Sequence, residues 1–161
     1  MTVSTRWPQF GYELIAELTR FPGRLALIAD DPTGQVATAV AGLTGAVPWR
    51  AGTALFTPTL PISSGEVIDR LVASGSVVID IDLLFWRPWL SLDPLSVLRV
   101  VARRRPGNVV SWPGMISGGR ASYSGPARRD WYEATFDNAV VLRPKPTSFP
   151  DDPPYRIERI P

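Results

Sequence analysis

The sequence predicts an α/β domain of three layers with a mostly parallel sheet, and three observations predict it. Arg24–Ala29, Ser76–Ile81, Asn108–Trp112 and Asn138–Leu142 are short apolar runs without the alternation of a half-exposed strand. Strands buried on both faces of a parallel sheet read this way. Segments with helical spacing separate most of these runs, so strand and helix alternate along the chain. A length of 161 residues suits one domain with a real core better than two. Residues 1–143 are assigned to that domain. A Pro-rich tail, 144–161, is expected to be extended and loosely packed or in contact with a partner.

Each element has its own signal. Phe10, Leu14, Ile15 and Leu18 recur at three- and four-residue spacing, with Glu13 and Glu17 on the other side, so Phe10–Arg20 is an amphipathic helix stopped by Phe21-Pro22-Gly23. The first strand follows at once. The turn Asp30-Asp31-Pro32-Thr33-Gly34 then leads into a small, apolar helix from Gln35 to Leu43. Residues 46–63 are irregular, with a short strand possible over Thr53–Phe56. Ser63-Ser64-Gly65-Glu66 begins like a capping box, with Val67–Ala73 as its helix. Asp93-Pro94 supplies an N-cap and a proline at the first helical position, and Leu95, Leu98, Val101 and Ala102 form the buried face that follows. Gly107, Gly114, Gly118, Gly119 and Gly125 suggest tight loops at one sheet edge.

Composition excludes whole classes of chemistry. Hydrophobic content of 45% and charged content of 20% are those of a folded domain. The chain has no His and no Cys, so it holds no Ser-His-Asp triad, no Cys nucleophile, no His base, no zinc site of the usual N/S kind and no disulfide. All of its basic residues are Arg except Lys145, which leaves one position for any phosphate-binding or Schiff-base lysine. A net charge of +2 does not by itself imply a nucleic-acid surface. No secretory signal, membrane-length apolar stretch or internal repeat is visible, and a cytoplasmic location is expected.

The first strand–turn–helix junction is where an α/β nucleotide site would lie. The phosphate-loop pattern G-x-x-x-x-G-K-[ST] falls on Ala29-Asp30-Asp31-Pro32-Thr33-Gly34-Gln35-Val36. Gly34 fits. Ala29 stands for the first glycine, Gln35 for the lysine that reaches the phosphates, and Val36 for the hydroxyl that holds magnesium. Asp30 and Asp31 add negative charge where a polyanion would sit, at a cost of roughly several kcal/mol each. The alternative is an ordinary turn in which Asp30 or Asp31 caps the helix. Ser76–Asp82 has the form of a Walker B strand, an apolar run ending in the acids Asp80 and Asp82. These acids alternate along the strand and so would not converge on a metal without a bend.

The stretch Val77–Tyr132 carries further motifs. The acid Asp80 is followed by Leu84-Phe85, the helix start Leu92-Asp93-Pro94-Leu95 and the basic helix end Arg103-Arg104-Arg105. Then come Ser111-Trp112-Pro113-Gly114, Tyr123 and Trp131-Tyr132. In order and spacing this resembles the BrxF family, small P-loop-containing proteins of type 3 BREX bacteriophage-exclusion systems. About a third of the chain carries the resemblance, with a weaker extension over 24–142. It implies a P-loop-NTPase-like sheet and an antiviral-defence role. It also implies partners such as a large BrxC-type ATPase and a methyltransferase acting on DNA. The chain departs from the family at the glycine, lysine and hydroxyl of the phosphate loop, so the expectation is a non-catalytic adaptor or subunit without a cofactor. ATP with magnesium would bind only if a partner completed the site. A DNA-binding module using the arginine clusters is the other alternative.

Two groups are candidates for contact with a partner or nucleic acid. Trp86 and Trp89 flank Arg87-Pro88, where large aromatics are core lids or interface anchors, and Arg128-Arg129 beside Trp131 is a basic-aromatic contact group or a solvated loop. Trp and Arg are enriched at binding hot spots and can stack on bases. Arg103, Arg104 and Arg105 fit phosphate contact or an arginine supplied to a neighbouring ATPase, and equally the favourable placement of cations at a helix C-terminus.

Overall fold

Leu25–Ile28 (β1) is buried along its whole length because it divides two cores. Leu25 and Leu27 enter one, Ala26 and Ile28 the other, as alternating strand side chains must. The computed structural model describes residues 6–43, 45–55, 63–75, 77–85, 93–125, 131–146 and 153–161. Around β1 a six-stranded sheet is built from Trp49–Arg50 (β2), Val77–Ile79 (β3), Val109–Ser111 (β4), Ala139–Pro144 (β8) and Tyr155–Ile160 (β9). Its order is β2-β3-β4-β1-β8-β9. All neighbours are parallel except β8 and β9.

Helices Arg6–Arg20 (α1) and Gln35–Gly42 (α2) cover one face, through Leu14, Leu18, Val36 and Val40. Ala51–Leu55 (α3), Ser64–Ser74 (α4) and Pro94–Arg104 (α5) cover the other, through Leu55, Val67, Leu71, Leu98 and Val101. The expected three-layer α/β arrangement is therefore present. Caps form as their residues require. Ser63 Oγ accepts from the Glu66 N–H, and Asp93 Oδ2 from the Ser96 N–H, with Pro94 opening α5. Helix α1 starts four residues earlier than its apolar spacing suggested. Pro8 is tolerated there because first-turn N–H groups have no partner inside a helix.

Three expectations are corrected. The short strand expected over 53–56 is helix α3 for its described part. Ala51 and Leu55, one turn apart, are both buried, and a three-residue apolar run cannot by itself distinguish the two periods. The glycine-punctuated segment is not a set of edge loops. Met115–Ser117 (β5), Arg120–Tyr123 (β6) and Tyr132–Thr135 (β7) form a second, antiparallel sheet inserted between β4 and β8. The tail beyond 143 is not loose in its described part: β9 pairs with β8 over six residues and buries Tyr155. The 143/144 division falls within β8.

Candidate functional site

From β1 the chain crosses to the far edge, returns through β3 and β4, and passes over to β8 on the other side of β1. The carboxyl end of β1 is thus the point where strand order reverses, the place where open α/β sheets bind ligands. A cleft of about 450 Å³ lies there, lined by Asp30, Asp31, Pro32, Ser111, Trp112, Pro113 and Gly114.

The loop facing this cleft is held by its own acids. The Ala29 N–H donates to the Leu142 carbonyl (2.8 Å), continuing the β1–β8 ladder. Ala29 therefore still belongs to the sheet, and the turn begins at Asp30, in the left-handed region (φ 58°) that Asp tolerates better than most residues. Gly34, also left-handed (φ 71°), turns the chain into α2. Asp31 then reaches forward across the turn. Its Oδ1 accepts from the Val36 N–H and its Oδ2 from the Ala37 N–H, each at 3.1 Å. These are orphan donors of the first helical turn, the groups that would grip a phosphate. Of the two acids considered as caps, Asp31 is the one that holds the helix. Gln35 is exposed, and Val36 is buried in the core, so a hydroxyl there would not face a metal.

Asp30 takes a different partner. Its Oδ2 lies 2.8 Å from Arg143 Nη1 at the end of β8. The same guanidinium reaches Glu158 on β9 (3.1 Å) and the Ile116 carbonyl on β5. Arg143 thus ties loop, edge strand and second sheet together, and the sequence reading did not single it out. The available signal was an arginine closing an otherwise apolar strand.

Asp80 and Asp82 diverge. Asp80, left-handed at φ 60°, ends β3 with its carboxylate against Gly52 of α3, where an added Cβ would stand 2.5 Å from Oδ2. Asp82 accepts from the Tyr123 hydroxyl at 2.9 Å. Neither lines the cleft, and β4 separates β3 from β1, a lateral offset of about 10 Å. Among the described residues no group of three or more acids comes together in a form that could hold a metal ion.

Four aromatic residues of the second-half motifs, Phe85, Trp112, Tyr123 and Tyr132, converge on one cluster. Phe85 stacks on Tyr123 (centroids 3.9 Å apart) and meets Trp112 and Tyr132 edge-on (5.3 and 5.4 Å). Trp112 Nε1 donates to the Ser122 carbonyl, and the Tyr132 hydroxyl to Asp93. Each such ring pair contributes roughly 0.5–1.5 kcal/mol beyond its area. The cluster fastens the inserted sheet to the 3-10 turn Asp82–Phe85 and to the start of α5.

The arginine run does not form one patch. Arg104 pairs with Asp69 (2.6 Å), Arg105 donates to the Val72 carbonyl (2.7 Å), and Arg103 lies along a separate groove. Trp131 is exposed, with Nε1 donating to Glu133 (3.0 Å). Trp86, Arg87, Trp89, Arg128 and Arg129 lie outside the described residues. Among the described residues no helix is long and apolar enough to cross a membrane. Compared with protein-family models, curated proteins and solved structures, the chain matches none.

Proposed function

We propose that this protein is a non-catalytic adaptor or subunit built on a P-loop-like sheet whose phosphate seat is filled from within. The observation that carries the reading is the Asp31 carboxylate on the Val36 and Ala37 amides, in place of a ligand's phosphate. An incoming nucleotide would have to displace that carboxylate, face Asp30 as well, and do so without a lysine in the loop. The position of the turn at the reversal of strand order supports the P-loop-like description.

The motif resemblance of Val77–Tyr132 supplies the setting: a cytoplasmic BREX-type anti-phage complex in which a large BrxC-type ATPase performs the hydrolysis. Direct DNA binding through Arg103–Arg105 has less support, since Arg104 and Arg105 are already engaged within the chain.

The test uses the full chain, alone and co-expressed with such an ATPase. Labelled ATP with magnesium is expected to show no saturable binding to the protein alone, and the two proteins are expected to co-elute. Micromolar ATP binding that disappears in Asp80→Ala would sink the adaptor reading, and so would elution as a solitary monomer from the co-expression.

A further inference from the structure

A second groove, of about 330 Å³, runs between α5 and the inserted sheet. Its helix wall presents Ser96, Arg99, Val100 and Arg103, at the three- and four-residue spacing of one helix face. Phe136 and the end of β7 form the other wall. Among the described residues β7 is the last strand of its sheet. The Phe136 N–H donates to the Gly119 carbonyl (2.8 Å), so in this antiparallel ladder residues 132, 134 and 136 turn their backbone groups toward β6. Glu133 and Thr135 turn theirs to the open edge.

The groove's charges are unevenly used. Arg99 donates to the carbonyls of Gly23, Asp137 and Asn138 (3.0, 2.8 and 3.1 Å). Arg103, one turn on, has no carboxylate partner among the described residues. Burial holds the Arg99 guanidinium below its ordinary range; Asp137 opposes this and the Arg103 cation adds to it. Asp93 also borders the groove, but its carboxylate is occupied by Ser96 and by the Tyr132 hydroxyl. The Glu133 side chain is held by Arg120 and Trp131 and does not line the groove. What remains, among the described residues, is an exposed cation beside apolar surface and a strand edge with unused backbone groups.

We propose that this groove binds a short extended segment of a partner protein that carries an acidic side chain. The segment adds to β7 through the backbone groups of Glu133 and Thr135 and lays an apolar residue against Val100 and Phe136. Its carboxylate pairs with Arg103 and relieves the repulsion between Arg103 and Arg99. The proposal is independent of the filled phosphate seat, since it uses none of the same residues.

A displayed library of random dodecapeptides, panned on the immobilised full-length protein, tests it. Recovered peptides are expected to share an acidic residue close to an apolar one and to shift the amide resonances of Glu133 and Thr135. Arg103→Ser is expected to weaken them roughly tenfold or more. Arg156→Ser, which removes an exposed cation of β9 that does not line the groove, is expected to leave affinity unchanged. Thr135→Pro removes an edge donor where proline is tolerated and should also weaken binding. Arg103 is exposed, so an unchanged melting profile is expected to confirm that its variant folds. No recovered peptides, peptides without acids, equal affinity for Arg103→Ser, or shifts confined to another face would each overturn the proposal.

Discussion

Arg143 and Asp30 meet at 2.8 Å although 113 positions separate them in the chain. The Arg143 side chain is 13% exposed and that of Asp30 61%, so the two ends of this ion pair are not equally costly to lose. Asp30→Asn keeps a residue that tolerates the left-handed turn and loses only a solvent-screened contact. It is expected to lower unfolding free energy by under about 1 kcal/mol. Arg143→Met also strands Glu158 and the Ile116 carbonyl, and about 2–3 kcal/mol is expected in urea unfolding. Equal effects of the two substitutions would show that Arg143 does not act as the tie we describe.

Asp31→Ala leaves the Val36 and Ala37 amides without an acceptor and is expected to cost about 1 kcal/mol, in the range of a lost N-cap. The same change opens an anion seat. Sulfate should therefore raise the melting temperature of Asp31→Ala more than that of the unaltered protein, while ATP binding stays absent for want of a lysine. An identical sulfate response in both proteins would mean that the carboxylate does not occupy the seat.

Gly114 permits a close approach of backbone. A Cβ there would stand 1.8 Å from the Ser122 carbonyl oxygen, a contact that no side-chain adjustment relieves. Gly114→Ala is expected to cost more than about 3 kcal/mol and to collapse the near-ultraviolet circular dichroism of the aromatic cluster. Gly118, with nothing within 4 Å of an added Cβ and only its positive φ to protect, is the comparison. Gly118→Ala should cost about 1 kcal/mol and leave that spectrum intact.

Burial pushes the Tyr155 hydroxyl up to about 12 from an ordinary value of 10.0. Because the folded value is the higher one, the unfolded chain ionises first as pH rises. The stabilisation is complete below the unfolded value and is lost as pH climbs through the interval up to the folded one. Chemical denaturation followed between those limits should show Tyr155→Phe losing less stability than the parent. Parallel declines would place the alkaline sensitivity elsewhere.

Much of the frame was legible residue by residue. The apolar run at Leu25–Ile28, the cap at Ser63 and the Asp93-Pro94 helix start each carry their signal within a few positions, and each forms as expected. The Trp112-Pro113-Gly114 motif was visible but its meaning was not. Trp112 meets Phe85 upstream and Tyr132 downstream, and Gly114 admits β6, so none of these partners is visible in the motif itself. The arginine run was equally visible, yet its three side chains leave in different directions because successive residues on a helix face different neighbours.

The sequence by itself determined the four central strands β1, β3, β4 and β8, the helices α1, α2, α4 and α5, and the absence of a lysine from the turn after β1, where Gln35 stands, since periodicity, capping and residue type are local properties. The tertiary structure alone decided the strand order, the recruitment of the Pro-rich end as β9, and the placing of Arg143 on Asp30. Pairing between distant segments depends on which surfaces can be buried together. No short window of residues contains that information.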